Sequence, residues 1–201
     1  QNQGKSIEKY NKKEKIFLLN LARRTLTKYI NNNKKLTVKE KNVPEKLTQK
    51  RACFVTLNKK NSGLRGCIGS LLPVEPLYKG VINNTINAAV NDPRFEPVKS
   101  NELKDIEIEI SVLTLPQKLD YSTPEELLNK LKPKIDGVIL ITRYGNSTYL
   151  PQVWEQIPDK KMFLSYLCRK HGAPMDAWKL PDTQVYVYHA IHFSEGEFGL
   201  H

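Results

Sequence analysis

The chain has 201 residues, with 32 Lys and Arg against 21 Asp and Glu, a formal net charge of +11, and three cysteines. This length suits one large domain or two small lobes sharing a core, and the odd cysteine set, with no CxxC spacing, favours reduced thiols and a cytoplasmic location over a disulfide-stapled fold. No run approaches the roughly 18 apolar residues of a membrane span, and the first residues lack the apolar stretch of a signal peptide, so no membrane contact is expected.

The charge is uneven. Residues 1–60 hold 17 Lys and Arg against 4 Asp and Glu, whereas residues 61–201 hold 15 against 17. Such asymmetry marks contact with nucleic acid or another anionic surface, because each phosphate neutralised releases condensed counterions; a solvated face is the plainer alternative.

Residues 1–11 are polar and read as a flexible segment. From Lys12 to Ile30 the apolar positions Ile16, Leu19, Ala22 and Leu26 recur at helical spacing, leaving Arg23, Arg24 and Lys28 among the outer positions. A connection without sustained period follows. "ACFVTLN" and "LRGCIGSL", separated by "KKNSG", read as a β-hairpin over residues 52–71, with two glycines suggesting a bulge or close approach of another backbone. Beyond Pro76 a helix carrying Leu77, Val81, Thr85 and Ala88 on one face runs to the stop at Asp92-Pro93.

"IEIEISVLTL" alternates from Ile106 as a strand with one apolar and one polar face. Thr123-Pro124-Glu125-Glu126 is a capping box that launches a short helix, "GVILITR" is a buried strand, and "YGNS" turns the chain into "TYL". Asp159 opens a helix whose stripe is Phe163, Leu164, Leu167 and Cys168, stopped by Gly172. "QVYVYHAIHF", residues 184–193, alternates as one strand, and residues 194–201 read as a flexible tail. Helices mixed with mostly antiparallel strands make the fold class α+β. The sequons at Asn83 and Asn146 read as chance matches in an Asn-rich chain.

On a regular strand Arg65, Cys67 and Gly69 share a face, so a guanidinium stands beside a thiol and favours its thiolate. Cys67 is the candidate nucleophile; a small buried hydrophobe is the alternative reading. Glu107 and Glu109 share the polar face of their strand, and Glu109 is the candidate proton carrier. Asp92 and Arg94 combine a helix stop with opposite charges, and Trp154 in "YLPQVWEQIPD" reads as a packing residue. His189 and His192 lie on opposite faces of a strand and cannot share an ion there. Nothing matches a P-loop, a dinucleotide fingerprint, a zinc spacing or a triad elbow, so no cofactor and no metal are expected.

"RACFVTL", "LRGCIGSL", "INAAVNDPRFEPV", "ELKDIEIEISVLT", "DGVIL", "YLPQVWEQIPDKKMFLSYLC" and "DAWK", in this order, closely resemble the AMMECR domain family, whose microbial members are also called AmmeMemoRadiSam system protein A. The matches run over residues 12–193, with LRGCIG as the hallmark and DPRF as a second motif. The resemblance implies two closely packed, interlocked lobes with a cleft between them, and an association with Memo-like and radical S-adenosylmethionine proteins. Carried over residue by residue, it places Arg65, Gly66, Cys67 and Gly69 at the site, with Asp92 and Arg94 next, and extends to Gln152. Two functions follow as expectations: an enzyme or enzyme component acting on a small molecule or modified residue, or a binding and adaptor module for a protein partner or nucleic acid.

Overall fold

The computed structural model describes residues 9–200. The chain divides into two compact units: one is formed up to Thr114 and again from Ile191, the other by Leu115–Ala190. The fold is α+β, with two four-stranded sheets.

In the first unit, helix α1 (Lys12–Asn32) begins where the Asn11 side chain accepts a hydrogen bond from the Glu14 amide at 2.8 Å and ends at Asn33 in the left-handed region. Its buried stripe includes Leu18, Leu19, Ala22 and Leu26. The expectation of a flexible segment over residues 1–11 is corrected at its end, because Tyr10 is buried and Asn11 is the cap; residues 1–8 lie outside the described residues. The connection that follows makes two short 3-10 turns and buries Leu36, Val43 and Leu47.

Strands β1 (Ala52–Lys59) and β2 (Gly63–Gly69) form the hairpin expected from the sequence. Helix α2 (Leu77–Val90) crosses behind them, with Leu77, Val81, Thr85 and Ala88 all buried. Strand β3 (Ile106–Leu113) pairs antiparallel with β1 and sends Ile106, Ile108 and Ile110 into the same core as Val55 and Leu57. Its other face is not uniformly wet, since Ser111 is buried.

The second unit contains β4 (Gln117–Lys118), α3 (Pro124–Lys130), β5 (Gly137–Thr142), β6 (Gly145–Tyr149), α4 (Lys160–Lys170) and β7 (Gln184–Tyr188). Its sheet has the order β4-β7-β5-β6. Thr123 caps α3 by accepting from the Glu126 amide, while the Glu126 carboxylate reaches the Ser122 amide, one residue earlier than a simple capping box requires. Asp159 caps α4 at the Met162 amide, and all four residues of the expected stripe are buried. Trp154 packs in this core, stacked on Phe163 at 3.6 Å between ring centroids, with its indole N–H donated to the Asp136 carbonyl.

Residues 184–193 are two strands, not one. β7 belongs to the second sheet, whereas β8 (Ala190–Ser194) joins the first, whose order is β2-β1-β3-β8. The alternation expected for a single strand survives because both pieces have the same two-residue period, and the change of sheet leaves no mark in it. The tail expectation is also corrected: Glu195 is buried, its carboxylate accepts two bonds from the Arg23 guanidinium and one from the Ile108 amide, and Gly196–Phe198 makes a 3-10 turn. His201 lies outside the described residues.

Candidate functional site

β2 is an edge strand of its sheet. The Ser70 amide bonds the Cys53 carbonyl on β1, so even-numbered residues of this segment turn their backbone inward, and Cys67 turns its N–H and C=O to the unpaired edge. Those two groups are taken by the segment that leaves α2. Asp92 accepts the Cys67 N–H at 3.0 Å, and Arg94 Nη2 donates to the Cys67 carbonyl at 3.4 Å. Asp92 also accepts from the Arg94 amide, Nε and Nη2 at 3.1, 3.0 and 2.8 Å. A carboxylate and a guanidinium thus stand where a neighbouring strand would be, which blunts the edge at the point where the thiol sits. Pro93 between them, having no N–H of its own, leaves no donor unpaired in this tight turn.

On β1, Thr56 lies opposite Cys67, and its hydroxyl is 3.1 Å from the sulfur. Glu109 lies opposite Thr56 on the other side, so Cys67, Thr56 and Glu109 form one row across three strands. At about 4.8 Å per strand, Glu109 stands about 10 Å from Cys67, backbone to backbone, with the Thr56 hydroxyl between them.

Arg65 departs from the regular strand expected of it. Leu57 pairs with Gly66 and Asn58 with Leu64, so Arg65 is the extra residue of a bulge. Its guanidinium is turned to Glu102, which it grips with Nε and Nη2 at 2.9 and 3.1 Å, and Lys59 Nζ lies 3.5 Å from the same carboxylate. Arg65 Nη1 is buried without a hydrogen-bond partner among the described residues. The guanidinium that meets Cys67, at its backbone carbonyl, is that of Arg94, whose side chain remains 48% exposed.

The electrostatics follow these contacts. Burial alone would raise the Asp92 carboxyl, but the Arg94 side chain and the Cys67 and Arg94 amides outweigh it and hold it at about 2. Arg94 is raised, first by its bond to Asp92 and last by negative charge on Cys67. Glu102 is held at about 2, first by Arg65, with the Lys99 amide and Lys59 adding to it. Of the three cysteines, none of them disulfide-bonded, Cys53 and Cys168 are buried and Cys67 is part-exposed. Burial pushes the Cys53 thiol up to about 12 and raises that of Cys168.

The two hallmark glycines are explained by packing. A Cβ at Gly66 would lie 2.1 Å from the Ala88 carbonyl oxygen of α2, and one at Gly69 would lie 2.3 Å from the Phe54 ring and 2.4 Å from the Cys53 carbonyl. The space on their Cβ side belongs to α2 and to Phe54, so close packing accounts for both glycines. Gln152 belongs to the second unit, in the 3-10 turn Pro151–Glu155. His189, in that unit, places Nε2 3.3 Å from Asp136. No local sequence signal marks Thr56 or Glu102 as a site residue. Thr56 is found only through the strand register, and Glu102 only through the bulge that re-aims Arg65.

The family model described as AMMECR1 matches residues 19–193. Similar proteins include one of Methanopyrus kandleri, 39% identical over 94% of this chain and 92% of its own length, and one of Thermococcus onnurineus, 44% identical over 89% of each. Among solved structures, the crystal structure of an uncharacterized protein from Pyrococcus horikoshii is similar with a TM-score of 0.86 and 38% identity, covering 92% of both chains.

Proposed function

This chain belongs to the AMMECR1 family, and from that premise we propose that it performs thiol chemistry at Cys67 on a small molecule or a modified side chain, as an enzyme or as the thiol-bearing component of one. The observation that carries this reading is the seat of the sulfur: a part-exposed thiol 3.1 Å from the Thr56 hydroxyl, on a backbone fixed by Asp92 and Arg94. In this reading the sulfur is the nucleophile. Its proton leaves through Thr56 toward Glu109 on the same row, and the Arg94 guanidinium favours the thiolate and receives an anionic group of the substrate. Arg65 is a positioning residue, committed to Glu102. The Memo-like and radical S-adenosylmethionine proteins implied by the resemblance are the partners we propose, in a cytoplasmic modification pathway.

Alkylation of the intact protein with iodoacetamide, mapped by mass spectrometry, tests it. Cys67 should be labelled first and faster than free cysteine at pH 7, and Arg94→Gln should slow that labelling several-fold. Cys67 reacting no faster than an ordinary thiol, or unaffected by Arg94→Gln, overturns the proposal.

A further inference from the structure

A hollow of about 580 Å³ runs along the outer side of α1, away from the cysteine strand in sequence and chemistry. Arg23, Arg24 and Lys28 supply three cations to its wall, Thr27, Asn31 and Asn32 supply hydroxyl and amide groups, and no carboxylate of the described residues lines it. Arg23 is already neutralised: its guanidinium is bound by Glu195 and by the Leu103 and Ile106 carbonyls. Arg24 and Lys28 are different. One helical turn apart, they have no acidic partner among the described residues. Lys34, just beyond the helix end, is also exposed, and residues 1–60 carry a net +13, more than the +11 of the whole chain.

We infer that this face of α1 binds the sugar-phosphate backbone of a nucleic-acid duplex. Unpaired cations on a rigid helix, interleaved with amide and hydroxyl groups, are the equipment for phosphate and sugar contacts. The occupant is selected by what the wall lacks. Among the described residues no aromatic side chain lines it, so bases of a single strand have nothing to stack on. Leu36, the one apolar residue among its described lining residues, is buried, so the described wall offers nothing to insert into a lipid surface. The contacts are to the backbone, and the binding is therefore insensitive to sequence.

The test is fluorescence anisotropy of the full chain with a mixed-sequence duplex at 50 and 200 mM KCl. Binding should weaken steeply with salt, and Arg24→Glu with Lys28→Glu should lower the log–log salt slope by about 2 and weaken binding at least ~10-fold at 50 mM. Arg24→Gln with Lys28→Gln, a milder change, should act in the same direction. The control is Lys132→Glu with Lys161→Glu, which makes the same change in net charge at exposed positions of the second unit and should have little effect. Absence of binding at 50 mM, an equal loss in the control pair, or equal affinity for polyglutamate or for phosphatidylserine vesicles would overturn the assignment.

Discussion

Replacing Asp92 by Asn removes the charge that closes the edge of β2 while keeping the side chain's shape. Asn offers one oxygen in place of two and turns an amide group toward the donors that Asp92 now satisfies, namely the Cys67 and Arg94 amides and the Arg94 guanidinium. The magnitude follows from linkage. The carboxyl is held at about 2 in the folded chain against an ordinary 3.8, so its folded state is the weaker proton binder, and its contribution is complete above about pH 5 and lost as pH falls through 4 toward 2. That difference corresponds to about 2 kcal/mol in full, of which about 1 kcal/mol is gone at pH 3. Asp92→Asn should therefore cost about 2 kcal/mol at pH 7 and flatten the decline between pH 5 and pH 3 by about 1 kcal/mol. Glu102 titrates in the same window, from 4.5 to about 2, so Glu102→Gln should flatten the decline independently. Urea unfolding should be followed by far-UV circular dichroism, because Trp154 and Trp178 both lie in the second unit and tryptophan fluorescence would report on the wrong part. An Asp92→Asn protein as stable as the parent at pH 7, or one with the parent's pH profile, would refute the edge-closing role.

Gly66→Ala should destabilise by about 1–3 kcal/mol or more, read as a lower thermal midpoint, because its methyl meets the backbone of α2 and not a movable side chain. Glu195→Gln should cost about 3 kcal/mol by leaving the Arg23 charge buried and uncompensated, measured by urea unfolding at pH 7. Cys53, with its thiol up at about 12, should resist iodoacetamide at pH 8 in the folded protein and react once urea unfolds it, as mass spectrometry of the adducts will show.

Local physics was legible in the sequence where a single segment carries it. The stripe of α2, the alternation of β3, and the caps at Thr123 and Asp159 are all encoded within a few residues, and the structure has them. What escaped was encoded by distant partners. Glu195 looks like part of a polar tail until its carboxylate is seen to meet Arg23, 172 residues earlier. The site divides in the same way. The motifs point to Cys67, Asp92 and Arg94, and these do touch. Regular strand periodicity puts Arg65 beside Cys67, but a one-residue bulge turns Arg65 to Glu102, and the guanidinium at the Cys67 backbone is that of Arg94. No periodicity reveals such a bulge, although the paired glycines hint at one.

The first unit is interrupted by the whole of the second, and this fixes the order in which its parts can meet as the chain leaves the ribosome. Residues 115–189 emerge before β8 and Glu195 do, so throughout that interval the outer edge of β3 lacks its neighbour and the guanidinium of Arg23 lacks its counterion. A nascent chain halted inside the second unit is left with a bare strand edge and an unbalanced charge, two marks by which a chaperone or protease can tell an unfinished polypeptide from a finished one.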